Sequence, residues 1–295
     1  MIELLVVIAI IGILSALIII GMNSATQKAA IAKAKVFSSS LRDSLMSNLK
    51  VEWGFDGLAT AINGTSIPDT WSGVNNGTLA TGTGDASDKL KTGDDCVSEK
   101  CLLLDTDDYI NCGSNASITT NLNAWTISAW VKPADTSRNI LIGFDDTAYA
   151  SIRLNNTTGA PIIYMGTNNY RYFATAAWTT LKNGNWHNVV FTIPGSAQAD
   201  ITSSKMYLDG QEVATSTTVS SGVQATKDRF WISRVTTYYG SGSLDEIRVY
   251  DQVMPTSQIR QDYFAGLNGL YKDKQLTQTE YIKRIVELRN NLAQK

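Results

Sequence analysis

The chain has 295 residues, with 25 Lys and Arg against 27 Asp and Glu for a formal net charge of −2, and 43% hydrophobic, 9% aromatic and 18% charged residues. With 22 Gly and only 5 Pro, this composition can bury a sizeable core and excludes a disordered polymer. No basic surplus exists to capture DNA or RNA, so nucleic acid is excluded as a partner.

Residues 1–22 contain one ionisable side chain, Glu3, and Leu4 to Ile20 carry no charge at all. With its neighbours this run reaches the ~20 residues a bilayer-crossing helix needs, and a membrane-spanning segment over 2–22 is predicted. A secretory signal peptide would need a basic start and a small-residue cleavage site, and neither is present. Residues 23–50 follow with apolar positions spaced by threes and fours between Lys28, Lys33, Lys35, Arg42 and Lys50, which predicts an amphipathic helix continuing the first. A carboxylate at the edge of a membrane segment is costly, which marks Glu3 as a functional residue.

The run from Met1-Ile2-Glu3-Leu4-Leu5 through Gly12-Ile13-Leu14 resembles the N-terminal helix of type IV pilins and type II secretion pseudopilins. The resemblance implies that Glu3 neutralises a neighbouring subunit's N-terminal amine during assembly, so that the chain forms a homo-oligomeric helical filament. It further implies the pilus assembly machinery and a prepilin peptidase as partners, with the bacterial inner membrane as the location before assembly and an extracellular pilus afterwards. The basic leader and the Phe-Thr that open the family's helix do not precede Met1, which points to a truncated or mis-assigned start.

Residues 51–270 carry 14 basic and 22 acidic groups, a net of −8, together with all seven Trp, so the packed core belongs here. Short alternating segments punctuated by Gly, Asn, Asp and Ser predict an antiparallel sandwich. Trp125–Pro133 and Asn185–Ile193 read as strands, and Lys205–Ala214 reads as a hairpin turning on Asp209-Gly210, a dipeptide suited to a type I′ turn. A second hairpin is predicted over Leu102–Ile110. The sequences WTISAWVKP, WHNVVFTI, MYLDGQEVA, SGSLDEIRVY and PTSQIRQDYFAGL, in that order, resemble the concanavalin A-like or laminin G-like jelly-roll family over roughly 51–266. Beyond it, Thr277-Gln278-Thr279-Glu280 forms a capping box ahead of Tyr281, Ile285, Leu288 and Leu292, which predicts a C-terminal helix within 267–295. The expected architecture is therefore α+β: a long pilin-type helix over 1–50, a β-sandwich over 51–266 and a C-terminal helical segment.

Enzymatic chemistry is not expected. Retaining glycoside hydrolases need two carboxylates about 5–5.5 Å apart, and the Glu-x-Asp-x-x-Glu pattern that supplies them is missing. Asp245 and Glu246 are adjacent, which in a regular strand sends them to opposite faces. His187, the one histidine, sits in the WHNVVF strand and reads as a sheet residue. The jelly-roll resemblance implies one structural Ca²⁺, for which Asp245 is the leading ligand and Asp56 and Asp108 are secondary ones. It also implies glycan binding, for which Tyr170, Tyr172, Trp178, Tyr238 and Tyr239 are candidate sugar platforms near Gly- or Asn-rich turns.

Three cysteines allow one disulfide in an exported domain. Cys96–Cys101 closes a short loop and is preferred; Cys101–Cys112 is the alternative if Leu102–Ile110 is a true hairpin. Taken together, the sequence suggests a pilin-like subunit displaying a lectin-like domain for surface or glycan adhesion. The alternatives are a minor pseudopilin and a membrane-anchored carbohydrate-binding protein or carbohydrate-active enzyme.

Overall fold

The computed structural model describes residues 48–293 apart from 106, 115–117, 119–123, 135–138, 145–149, 196–197, 222–228 and 273. All of these residues belong to the second of the two units into which the chain divides, Leu45–Lys295. Glu3 and the helix expected over 2–47 lie outside them.

Nineteen strands are formed among the described residues. They are β1 Leu49–Trp53, β2 Ser66–Ile67, β3 Gly77–Ala80, β4 Leu90–Thr92, β5 Lys100–Leu104, β6 Tyr109–Asn111, β7 Trp125–Pro133, β8 Asn139–Phe144, β9 Ala150–Asn155 and β10 Ile162–Met165. There follow β11 Asn169–Phe173, β12 His187–Ile193, β13 Lys205–Leu208, β14 Gln211–Glu212, β15 Thr215–Ser220, β16 Phe230–Ile232, β17 Arg234–Val235, β18 Tyr238–Tyr239 and β19 Gly242–Tyr250. One sheet has eight strands in the order β14-β13-β12-β7-β19-β5-β4, with β1 also paired to β19; the other has nine, in the order β15-β11-β10-β9-β8-β16-β6-β3-β2. All pairings are antiparallel.

The core lies between the two sheets. The inward residues of β7, β12 and β19 (Ile127, Ala129, Val131; Val189, Phe191, Ile193; Leu244, Ile247, Val249) meet Ile142, Phe144, Ile163, Phe173, Phe230 and Ile232 from the facing sheet. Trp53 stacks on Phe230 at 5.4 Å between centroids, and Phe144 meets Phe230 edge-on at 5.1 Å. Such close aromatic pairs add to simple area burial.

The expected fold class needs correction. The described chain is an antiparallel β-sandwich with a C-terminal helix pair, and no long N-terminal helix occurs within it. No helix among the described residues is long and apolar enough to cross a membrane. The amphipathic helix expected to run to residue 50 has given way to β1 by Leu49, because Leu49, Val51 and Trp53 are buried next to β19. At the other end the expected boundary at 266 falls inside a helix: α2 (Thr256–Lys272) and α3 (Gln278–Ala293) form a pair, after the short α1 (Thr175–Leu181). The Thr277 half of the expected capping box forms, its hydroxyl accepting the Glu280 N–H at 3.2 Å, while the Glu280 carboxylate pairs with Arg284 at 3.0 Å.

Helix α2 covers the outer face of the eight-stranded sheet. Tyr263 stacks on Trp130 of β7 at 5.7 Å, while Ile259 packs with Val190 and Tyr207. Helix α3 packs in turn through Tyr281 and Leu288, and Arg284 donates to the Trp186 carbonyl at 3.1 Å. Gly266 makes the close approach possible, since a Cβ there would overlap the Trp130 indole. Helix propensity alone favours replacing this glycine, by about 1 kcal/mol for alanine. Overpacking costs about 1–3 kcal/mol and wins for any branched side chain. Gly266→Val should therefore lower stability by about 1–3 kcal/mol in urea unfolding; an unchanged or raised midpoint would show that α2 does not bear on Trp130.

Candidate functional site

The Asp209-Gly210 hairpin forms as the sequence predicts, with φ of 51° and 74° at the two turn residues. His187 is a sheet residue, 2% exposed, its ring nitrogens meeting Asp209 Oδ2 at 2.7 Å and Asn183 Oδ1 at 3.0 Å. The hairpin expected over Leu102–Ile110 does not form. β5 pairs with β19 and β6 with β16, so the chain crosses between sheets at Asp105–Asp108. The disulfide is Cys96–Cys101, and Cys112 is a free buried thiol in the core.

The three candidate calcium ligands are not brought to one place. Asp245 is fully buried and accepts the backbone N–H groups of Val97, Ser98 and Glu246 at 2.9–3.0 Å. Asp56 accepts from the Ser98 hydroxyl at 2.7 Å and the Lys100 N–H at 2.8 Å. Both therefore grip the 97–100 segment, which presents them with donors, whereas Ca²⁺ is held by 6–8 oxygen acceptors. Asp108 belongs to a separate cluster with Asp85 and Asp105, close enough together to ligate a metal. There the Lys89 ammonium takes the cation's place, 2.5 Å from Asp85 and Asp105 and 2.8 Å from Asp108. Its three carboxylate partners outweigh burial and raise the Lys89 pKa. In both arrangements the carboxylates are engaged by donors of the chain itself.

Asp245 and Glu246 also depart from simple alternation. The register of β19 shifts between Asp245 and Arg248, and Glu246 takes φ of 50°, a bulge that leaves both carboxylates on the helix-covered side. Arg248 then pairs with Glu52 at 2.8 Å, with Asp262 of α2 at 3.1 Å and with Glu246.

The opposite outer face, that of the nine-stranded sheet, has no helix over it among the described residues. Its pairing places Tyr164 opposite Tyr170, and Ile162 opposite both Tyr172 and Arg153. Tyr164 and Tyr170 rings lie 5.6 Å apart and Tyr170 and Tyr172 rings 5.5 Å, all three half-buried. The Asn156 amide donates to the Tyr164 and Tyr172 hydroxyls at 3.3 and 3.1 Å. Burial and the neighbouring Tyr172 push the Tyr164 phenol up to about 12, so it remains a neutral hydrogen-bonding group. The Arg153 guanidinium lies 4.5 Å from the Tyr164 ring centroid and 5.8 Å from that of Tyr238.

The β17–β18 hairpin crosses this face over Gly143 of β8, where a Cβ would overlap the Arg234 carbonyl. On its far side a second cluster forms. The Arg234 guanidinium stands 4.4 Å from the rings of Tyr109 and Trp231 and 5.4 Å from that of Tyr239. Asn111 and Thr78 continue the face beside Trp231, both exposed.

The candidate sugar platforms therefore divide. Tyr170, Tyr172, Tyr238 and Tyr239 share this face, but Trp178 does not: it sits in α1, 5% exposed, within the core. Tyr109, Arg153, Tyr164, Trp231 and Arg234 complete the two clusters and were not singled out by sequence reading. Proximity of Tyr164 to the Tyr170 turn was the available signal; the rest converge only through sheet order.

A family model for the concanavalin A-like lectin/glucanases superfamily matches residues 104–260. The chain belongs to that superfamily. No curated protein sequence matches it. Among solved structures, this lectin/glucanase-type sandwich is similar to domain 4 of AbnA, a GH43 extracellular arabinanase from Geobacillus stearothermophilus, in complex with arabinotriose; identity is 18% and the TM-score 0.53, over 73% of this chain and 98% of that one. It is also similar to a mutant of Trypanosoma rangeli sialidase displaying trans-sialidase activity (12%, TM-score 0.51, 84% of this chain and 39% of that one). The botulinum neurotoxin serotype D binding domain is a third (12%, TM-score 0.50, 76% and 53%). This chain thus spans well under two thirds of the last two. At these identities the likeness is one of fold, and it gives no support to a pilin-type N-terminal helix.

The buried Asp245 carries a consequence for stability. Burial, Glu246 and Asp56 push its carboxyl up to about 8 against the opposing N–H donors. A carboxyl raised in the folded state binds its proton more tightly there than in the unfolded chain, so stability falls as pH rises from about 4 to about 8. Asp245→Asn should flatten the decline in Tm across that window; an equally steep decline would remove Asp245 as its source. Millimolar calcium should leave the wild-type Tm unchanged at pH 8, and a rise would reinstate the ion.

Proposed function

We propose that this sandwich binds carbohydrate, with the uncovered outer face of the nine-stranded sheet as the contact surface. The observation that carries the reading is the pair of clusters on that face, where half-buried tyrosine rings, guanidinium groups and amides lie together. Sugar rings offer C–H faces to aromatic planes and hydroxyls to amide, phenol and guanidinium groups, and binding sites combine these elements. The superfamily's lectins and the AbnA domain seen with arabinotriose support the class of ligand by analogy of fold.

The proposal is of a binding domain and not of a hydrolase. The Glu-x-Asp-x-x-Glu pattern is missing from the sequence, and of the adjacent carboxylates Glu246 is paired with Arg248 while Asp245 is taken up by the backbone N–H groups of Val97, Ser98 and Glu246. The Cys96–Cys101 disulfide supports a setting outside the reducing cytoplasm.

Glycan-array screening of the full chain, with arabino-oligosaccharides among the probes, tests the reading. Tyr164→Ala and Tyr170→Ala should each weaken binding of the selected glycan about tenfold, equivalent to about 1.4 kcal/mol, without lowering Tm to the assay temperature. Trp178→Phe, a conservative change in the core, should leave affinity unaltered. Absence of any glycan binding, or full affinity in both tyrosine variants, would refute the assignment of this face.

A further inference from the structure

The second cluster has a chemical bias that the first does not. Arg234 uses Nε to donate to the Thr236 carbonyl at 2.8 Å, and its remaining contacts are the rings of Tyr109, Trp231 and Tyr239. No carboxylate pairs with it among the described residues, although the surrounding segment 51–270 carries 22 acidic groups to 14 basic ones. The other clustered arginine on the helix side shows the contrast: Arg248 is met by three carboxylates.

A second observation points the same way. Trp231 is 6% exposed, and its buried indole Nε1 has no hydrogen-bond partner among the described residues. A buried donor left unpaired costs about 1–3 kcal/mol, and it lies in the residue on which the Arg234 guanidinium rests. The two unused terminal nitrogens of half-buried Arg234 are donors as well, whereas the indole Nε1 is enclosed. What complements them is a group that only accepts hydrogen bonds and carries negative charge. A guanidinium fork matches a carboxylate in a two-point, coplanar fashion.

The hairpin holds the fork in place. Arg234 pairs directly with Tyr239 across β17–β18, Ser233 and Thr236 flank it with φ of 67° and 50°, and Gly143 lets the strand sit on β8. A rotamer-rich side chain fixed in advance between three rings loses less freedom on binding.

We propose that Arg234, with Trp231, Tyr109 and Tyr239, forms a subsite for a carboxylate-bearing sugar residue, so that the glycan bound on this face is acidic. This rests on the carbohydrate reading of the face. The domain's net negative charge opposes such a ligand at long range, but that repulsion is screened within about 8 Å at physiological ionic strength, while the fork acts at contact.

The test compares matched probes on the full chain by calorimetry: oligogalacturonate against its methyl ester, and sialyllactose against lactose, with a sulfated oligosaccharide as a third arm. In at least one matched pair the acid should bind tenfold or more tightly than its neutral partner. Arg234→Met keeps the apolar stem between the rings and should abolish that preference, bringing the affinity for the acid down to that for its neutral partner; Arg234→Lys, retaining charge without the fork, should keep only part of it. Equal affinity for acid and neutral forms would overturn the inference while leaving carbohydrate binding intact. Equal binding of the sulfated arm would replace carboxylate recognition with general anion recognition. Loss of neutral-sugar binding in both Arg234 variants would make the arginine a support for the platform only. Failure of every glycan to bind would bring down the carbohydrate reading and this subsite together.

Discussion

The approach of helix α2 to Trp130, made possible by Gly266, decides which surface of the molecule is left for a ligand. A two-sheet sandwich has two inner faces that make the core and two outer ones that must be covered or rendered compatible with water. On the eight-stranded sheet, Trp130, Val190, Tyr207 and Tyr250 are buried on the helix-covered side, in clusters completed by Tyr263, Leu267, Ile259 and the second helix. On the nine-stranded sheet the outward residues satisfy one another instead. Tyrosines stack, Asn156 donates to two phenols, and Arg153 and Arg234 lie against rings. The face is polar enough to meet water and aromatic enough to meet a sugar.

The buried charges serve the covered side. Arg248 links β1, β19 and α2 through Glu52, Glu246 and Asp262, and Asp245 ties β19 to the segment inside the Cys96–Cys101 loop. Buried ion pairs contribute little net stability, but removing one partner is expensive because the other charge stays behind. The same logic holds for Lys89, 3% exposed among three aspartates. These clusters therefore fix geometry, and the acidic residues that suggest metal binding or catalysis in the sequence are consumed in doing so.

Much of the sandwich was legible in the chain. Alternation marked Trp125–Pro133 and Asn185–Ile193 as strands, the second forming over His187–Ile193, and Asp209-Gly210 announced its turn, because both signals are local. The crossing at Asp105–Asp108 was not, since the alternation of Leu102–Leu104 and Tyr109–Asn111 is the same whether the strands pair or go to different sheets. The bulge at Glu246 was equally hidden: one residue in a left-handed conformation reverses the expected side of a carboxylate without any Gly or Asn to signal it. Tyr170, Tyr172, Tyr238 and Tyr239 were found by their nearness to turns. Trp178 shared that nearness but lies in the core, and Tyr109, Trp231 and Arg234 come together only because β6, β16 and the β17–β18 hairpin are neighbours in space.

The central claim is that the uncovered outer face of the nine-stranded sheet, and no other surface, receives the ligand. Hydrogen exchange of the full chain, read by mass spectrometry with and without a bound oligosaccharide, tests it directly. The account predicts slowed exchange confined to β6, β9–β11 and the 230–239 segment, on both sides of the β17–β18 hairpin. Slowed exchange in α2 and α3, or in the 96–101 loop, with that face unchanged would contradict it.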